Sequence, residues 1–425
     1  MTQSSIAPTS EASFTFLEAQ PNMSEYPKAI QEFFCLNHDA AQEFTSKNCE
    51  IARKCFIEEN LFRPSASLCI DGRVQDFTSA IGVPAGVTEL FRSAGVKTGA
   101  ESLMHMQRTQ SSIASSADFR TRAGKHEPRV MMRFQTVHYS HSFPTTASCA
   151  AWEHDTVAAT VHMLQLAQEL NRAWPGHLIA LPVLIDTDLD AITVIGPQGR
   201  FGTRELLDLG DTEITRLFGG TVDRLKKLFP AEWKPLQSFE KKFRVVFHDE
   251  LAGYLLRNLD FVRKVISSGR SPEMLVHQER LIFVGRHADW IQDHNSVFLI
   301  DDTASPAEIA LQLEIAMKYV AKNILLDELP KGTRDWVIPL VFNVPHLDSD
   351  KEATRVYVRS VTEVILRPAI QAAAPRVCEW LIGSHGIPKS LQNGALSVDL
   401  MELAQRVSIC MSTSHKRTRQ FVPFT

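Results

Sequence analysis

The chain predicts an α/β fold: a mostly parallel sheet flanked by helices, followed by a degenerate second copy of the same fold. Three observations carry that expectation. Helical patterns alternate with short hydrophobic strands, the arrangement that builds parallel sheets. The strand-ending segment Leu68-Cys-Ile-Asp-Gly-Arg73 is echoed by Leu281-Ile-Phe-Val-Gly-Arg286, and Phe134-Gln-Thr-Val-His138 by Phe342-Asn-Val-Pro-His346. The intervals from Arg to His are 65 and 60 residues, so two short matches recur at nearly the same separation.

The elements follow in order. Residues 1–14, rich in Ser, Thr, Pro and Ala, read as a flexible leader. From Tyr26 to Asn60 apolar residues recur at three- and four-residue steps through Ile30, Phe33, Phe34, Ala41, Phe44, Ile51, Ala52, Cys55 and Phe56, a helical pattern. The segment Pro64-Ser-Ala66 reads as its break, and Ser67–Ile70 as a short buried strand running into a turn at Gly72. Val130–Val137 reads as a second strand, Tyr139–Ser148 as a polar loop, and Cys149 to Trp174 as a helix closed by Pro175-Gly176. Val157, Val161, Leu164 and Leu170 fall at helical spacing in it. His177–Ile185 and Ala191–Ile195 read as strands joined by an Asp-rich turn, and Leu236–Ser268 as a long helical region at the junction. The expected organisation is a leader and short helical region over residues 1–47, a site-bearing domain over 48–270 and a degenerate C-terminal repeat over 271–425.

Composition excludes several classes. The 425 residues carry a net charge of −4, without the basic surplus of a nucleic-acid binder. No stretch approaches the roughly 18 uninterrupted apolar residues of a membrane span. The start, Met1-Thr-Gln-Ser-Ser-Ile-Ala-Pro8, has neither the charged nor the apolar region of a secretory signal. Seven cysteines, an odd number, then read as reduced thiols in a cytoplasmic protein.

Chemistry concentrates in one constellation. Cys69, Asp71 and Arg73 form Cys-x-Asp-x-Arg at the end of a strand, where alternate residues share a face. Arg73 can fork onto the Asp71 carboxylate and hold it ionised and fixed in direction. His138 ends the next strand, and Cys149 is expected at a helix N-terminus, which favours thiolate. Two thiolates and one imidazole with a fourth position open form a catalytic zinc set. Taken separately, a cysteine before an Asp-Gly turn is ordinary core, and an Asp–Arg pair is an ordinary surface bridge. Cys35, Cys49, Cys55, Cys378 and Cys410 lie in apolar segments and read as core or inert thiols. His141 is a rival ligand, and His154 a second-sphere or proton-shuttle candidate. Asp186-Thr-Asp-Leu-Asp190 lacks the Gly and the closing Glu of a calcium loop and reads as a turn. Gly383-Ser-His-Gly386 lacks a nucleophile-elbow context, and Ser384 reads as a turn residue.

Cys-x-Asp-x-Arg followed by His and then Cys resembles the β-class carbonic anhydrases. Ten residues separate His138 from Cys149, where most of that class has two. The longer interval resembles the divergent carboxysomal branch. Further similarity to that branch runs through Asp186-Thr-Asp-Leu-Asp-Ala-Ile192, Leu259-Asp-Phe-Val-Arg263 and Gln278-Glu-Arg-Leu-Ile-Phe-Val-Gly285, over roughly residues 48 to 350. The resemblance implies a zinc-bearing catalytic domain with Zn2+ on Cys69, His138 and Cys149, and a C-terminal copy without zinc. Val284 stands there in place of the acid and Ile282 in place of the first cysteine, so His346 is not expected to be a ligand.

The implied reaction is reversible hydration of carbon dioxide to bicarbonate, with Asp71 and Arg73 as the catalytic pair. Release of Asp71 by Arg73 would let it close the site as a fourth ligand, a switch found in part of the class. The implied assembly is a homodimer or higher homo-oligomer, with Rubisco and the carboxysome shell as the branch's partners. Only 68 residues precede Cys69, fewer than that branch carries before its zinc motif, so a free cytoplasmic form is the alternative location. The alternative functions are a zinc hydrolase of carbon disulfide or carbonyl sulfide, and a non-catalytic scaffold whose zinc Asp71 closes. Neither nucleic acid nor membrane is an expected partner.

Overall fold

A computed structural model describes residues 14–16, 47–74, 77–84, 87–97, 130–269, 279–284, 297–300, 306–326, 338–347, 378–387 and 410–412. The strands are β1 (Phe14–Phe16), β2 (Phe62–Leu68), β3 (Glu89–Arg92), β4 (Val130–Tyr139), β5 (Leu178–Asp186), β6 (Ala191–Gly196), β7 (Gly199–Gly202), β8 (Leu281–Val284), β9 (Val297–Ile300), β10 (Ile338–Leu347), β11 (Cys378–Ile387) and β12 (Cys410–Ser412). The longer helices are α1 (Lys47–Glu59), α2 (Thr156–Ala173), α3 (Ile214–Leu228), α4 (Lys241–Ser267) and α5 (Pro306–Leu326). None of the described helices is long and apolar enough to cross a membrane.

Two six-stranded sheets result. The first has the order β3-β2-β4-β5-β6-β7; β3, β2, β4 and β5 run parallel, and β6 and β7 return antiparallel. The second has the order β9-β8-β10-β11-β12-β1, with four parallel strands and then two antiparallel ones. Its last strand, Phe14–Phe16, begins at the final residue of the segment read as leader.

Burial on both faces explains the unbroken hydrophobic runs of β4 and β5. Met132 and Phe134 turn to the α4 side, while Met131 and Val137 join two smaller clusters beneath α2. Phe62 packs its ring edge-on against Phe239, Phe243 and Phe247, with centroids 5.7–6.2 Å apart. The Glu250 carboxylate on α4 accepts from the backbone amides of Leu61 and Phe62, fixing the start of β2.

Several local expectations change. Pro64 lies inside β2; β3 pairs only from Ser65 onward, so its missing N–H costs that ladder nothing. The helix after the polar loop starts at Thr156 rather than Cys149, because Glu153 and His154 are left-handed (φ 52° and 65°) and Asp155 caps Ala158 N–H at 2.9 Å. Its buried stripe is Ala159, Met163, Leu166, Ala167 and Leu170; Val157 and Val161 face outward. Cys378 and Cys410 begin strands, and Gly383–Gly386 lies within β11. Cys55 is exposed, so it is not core. Cys35 and the basic run at His415–Arg419 lie outside the described residues.

Candidate metal centre

Parallel strands put their carboxyl ends on one sheet edge, the place where α/β folds build their sites. β2 and β4 are neighbours, so Cys69, one residue past β2, and His138, near the end of β4, arrive at the same edge. A polar loop then returns the chain to deliver Cys149. The Sγ atoms of Cys69 and Cys149 stand 3.9 Å apart. Among the described residues, Cys69, His138 and Cys149 form a group whose ligand atoms all lie within 4.8 Å of one another. All three are at least nine-tenths buried.

The loop owes its shape to the Asp-rich turn. Asp188 accepts from Ser140 Oγ at 2.7 Å and from Ser142 N–H at 2.6 Å, and Ser140 Oγ accepts from Phe143 N–H. Asp186 accepts from the Asp188 amide and is forked by Arg204. These carboxylates are thus occupied in holding the route to Cys149. The segment is a turn, as the missing calcium-loop residues implied.

Asp71 and Arg73 meet as expected. Arg73 Nε and Nη2 donate to the two Asp71 oxygens at 3.0 and 2.7 Å, and its backbone N–H donates to Oδ1 at 3.0 Å. Arg73 Nη1 donates to the carbonyl of Ala147, so one guanidinium spans both segments that carry the thiols. Both side chains are almost wholly buried. Burial alone would pull the Arg73 pKa down; the Asp71 carboxylate outweighs it and drives the pKa up. Asp71 Oδ2 lies 3.5 Å from His138 Nε2, yet Asp71 is outside the close group of metal-type ligands.

The two thiols are joined by a hydrogen bond that shifts them in opposite directions. The hydrogen bond from Cys149 lowers the Cys69 pKa well below the usual thiol range against the effect of burial, with help from His138. That same bond, then burial and the neighbouring negative charge, raises Cys149. Cys149 only begins a three-residue turn, Ala150–Trp152, so no long helix lowers its pKa.

The residues fit a metal ion. Both ring nitrogens of His138 are buried and make no hydrogen bond, and one of them stands in the group with the two thiol sulfurs, an expensive arrangement unless an ion is ligated there. A sulfur separation of 3.9 Å is too long for a disulfide. It is close to the ~3.8 Å expected of two thiolates at about 2.3 Å from one tetrahedral ion. Among the rival histidines, His141 is exposed, and His154 Nδ1 meets the Ser148 carbonyl at 2.9 Å.

Two supports escaped the sequence reading. Gly95 N–H donates to Cys69 Sγ at 3.3 Å, and Trp152 Nε1 donates to the Gly95 carbonyl at 2.7 Å. Gly95 has φ +62°, and a Cβ there would fall 2.7 Å from Trp152 Nε1. A lone Gly between Ala94 and Val96 gave no sign of this. The other is Glu279, from beyond the first sheet, whose carboxylate accepts from Gly72 N–H at 3.1 Å. Comparison with known protein families and with curated proteins gave no match for this chain.

Proposed function

We propose that this chain is a zinc-dependent carbonic anhydrase of the β class, akin to its carboxysomal branch, hydrating carbon dioxide reversibly to bicarbonate and a proton. The observation that carries this reading is the placement of Asp71. It lies beside the Cys69–His138–Cys149 group and is forked by Arg73, an arrangement that would keep it off a bound ion and allow water the fourth position. A closed structural site would need Asp71 turned inward. Zinc, when bound, acts as a Lewis acid and supplies water of lowered pKa.

The remaining work falls to the protein. Cys69, Cys149 and His138 would hold the ion, and burial of all three keeps bulk water from competing. Asp71, kept as a carboxylate by Arg73, accepts a hydrogen bond from the reacting water and aims its lone pair at carbon dioxide. The second sheet is read as a degenerate copy of the first, supported by the same order and sense over five of its six strands, β9-β8-β10-β11-β12 against β3-β2-β4-β5-β6, and by the Arg286 and His346 echoes. Rubisco and the carboxysome shell enter as candidate partners through the resemblance alone.

Stopped-flow hydration of carbon dioxide, before and after chelation and zinc return, tests the reading. Hydration that disappears with the metal and returns with zinc is the expected outcome. One tightly held zinc per chain without hydration refutes it in favour of a scaffold. Turnover of carbonyl sulfide or carbon disulfide in place of carbon dioxide would reassign the substrate.

A further inference from the structure

The turn from Cys69 to Arg73 carries a ligand and the whole Asp–Arg pair, yet its backbone is secured from the second unit. Gly72 N–H donates to Glu279 Oε1 at 3.1 Å, across 207 residues of sequence. Two residues back, the Ile70 carbonyl accepts from Leu299 N–H at 3.1 Å, on the edge strand β9. Glu279 has no exposed surface, and its charge adds to those that raise the Arg73 pKa. A buried carboxylate is costly unless its oxygens are used, and here one is used on the turn itself.

From these contacts we infer that Glu279 is a positioning residue for the candidate metal centre, supplied by the second unit, which holds the Cys69–Arg73 turn so that Asp71 stays on Arg73. The second unit then has a task in the first unit's site despite lacking ligands of its own: it clamps the turn at Gly72 and at Ile70. The inference rests on the metal-centre reading above. It does not depend on which substrate is turned over.

The physical consequence is specific. Without the Glu279 acceptor, Gly72 N–H is left buried and unpaired, and the turn relaxes toward another partner. The Asp71 carboxylate moves with it, since Gly72 is its immediate neighbour. A glutamine at 279 keeps an acceptor oxygen at the same reach, so the clamp survives the loss of charge.

The test uses the full-length protein loaded with cobalt(II), whose visible absorption reports ligand geometry whether or not any substrate reacts. Glu279→Ala is expected to keep one metal per chain, to alter the cobalt spectrum, and to lower kcat for carbon dioxide about tenfold at unchanged KM. Glu279→Gln is expected to restore the spectrum and most of kcat. A Glu279→Ala protein with wild-type spectrum and kcat overturns the inference. If Glu279→Ala does not fold, Glu279→Gln decides: it supports the inference if its spectrum is wild type and overturns it if the spectrum is altered. An altered spectrum in Glu279→Ala, alongside a wild type inert to carbon dioxide, upholds the positioning role while refuting the carbonic anhydrase reading. A wild type that takes up no cobalt overturns both.

Discussion

Arg73→Ala is the perturbation with the largest consequence that the structure defines. The side chain donates twice to Asp71 and once to the Ala147 carbonyl, with 0% of its surface and 3% of the Asp71 side chain exposed. Removing it leaves the Asp71 carboxylate buried without its guanidinium, beside the backbone N–H of residue 73 and 3.5 Å from His138 Nε2. Breaking one side of a buried ion pair costs about 3–5 kcal/mol, a large part of the roughly 5–15 kcal/mol that keeps a domain folded. Urea unfolding of the metal-free protein measures this cost apart from metal linkage. The double variant Asp71→Asn/Arg73→Ala removes the stranded charge and is expected to be more stable than Arg73→Ala alone. In the metal-loaded protein, Arg73→Ala should lose activity while retaining its metal. A single-variant cost below about 1 kcal/mol would refute the buried-pair reasoning, and full activity would refute the role of the pair in the reaction.

Two further outcomes follow from buried polar groups elsewhere. Asn258 on α4 is fully buried and makes four hydrogen bonds: it donates to the Ala80 and Asp190 carbonyls and accepts from Ile192 N–H and Thr203 Oγ. Asn258→Ala removes one buried hydrogen bond from each of the four partners, so its urea midpoint should fall by the equivalent of about 3 kcal/mol or more, whereas a surface-like loss under 1 kcal/mol would show that the network relaxes. His248 is held neutral by burial, which lowers its pKa from 6.5, while its Nε2 donates to the Phe229 carbonyl at 2.8 Å. The unfolded chain then binds the proton first. Stability from this group is present above pH 6.5 and declines as pH falls through the depressed folded value. His248→Gln should flatten unfolding free energy against pH between 6.5 and the depressed folded value, and an unchanged slope there would remove His248 as its source.

Much of the centre was legible from residue types, because ligand chemistry is local. Cysteine, histidine and the Asp-x-Arg spacing each announce what they can bind, and hydrophobic runs at strand length place Cys69 and His138 at strand ends. The strands were legible because β4 and β5 are buried on both faces, which leaves continuous apolar runs. Helix starts were less so: Cys149-Ala-Ala-Trp152 reads as a first helical turn as readily as the residues after it, and only the left-handed Glu153 and His154 with the Asp155 cap show where helix begins. Val157 and Val161 matched the helical period as well as the buried residues did, since the period fixes a stripe and not the direction it faces.

The sequence by itself determined an α/β chain with three metal-type ligands and an acid–arginine pair. Only tertiary structure decided that Asp71 points to Arg73 rather than into the ligand group, that Asp188 holds the loop before Cys149, and that Phe14–Phe16 pairs with β12. It alone brought Glu279 to Gly72. All but the Asp71–Arg73 pair join residues far apart in the chain through a single carboxylate or a few backbone bonds. Such contacts leave no periodicity or spacing in the sequence, because they are set by where folded elements meet.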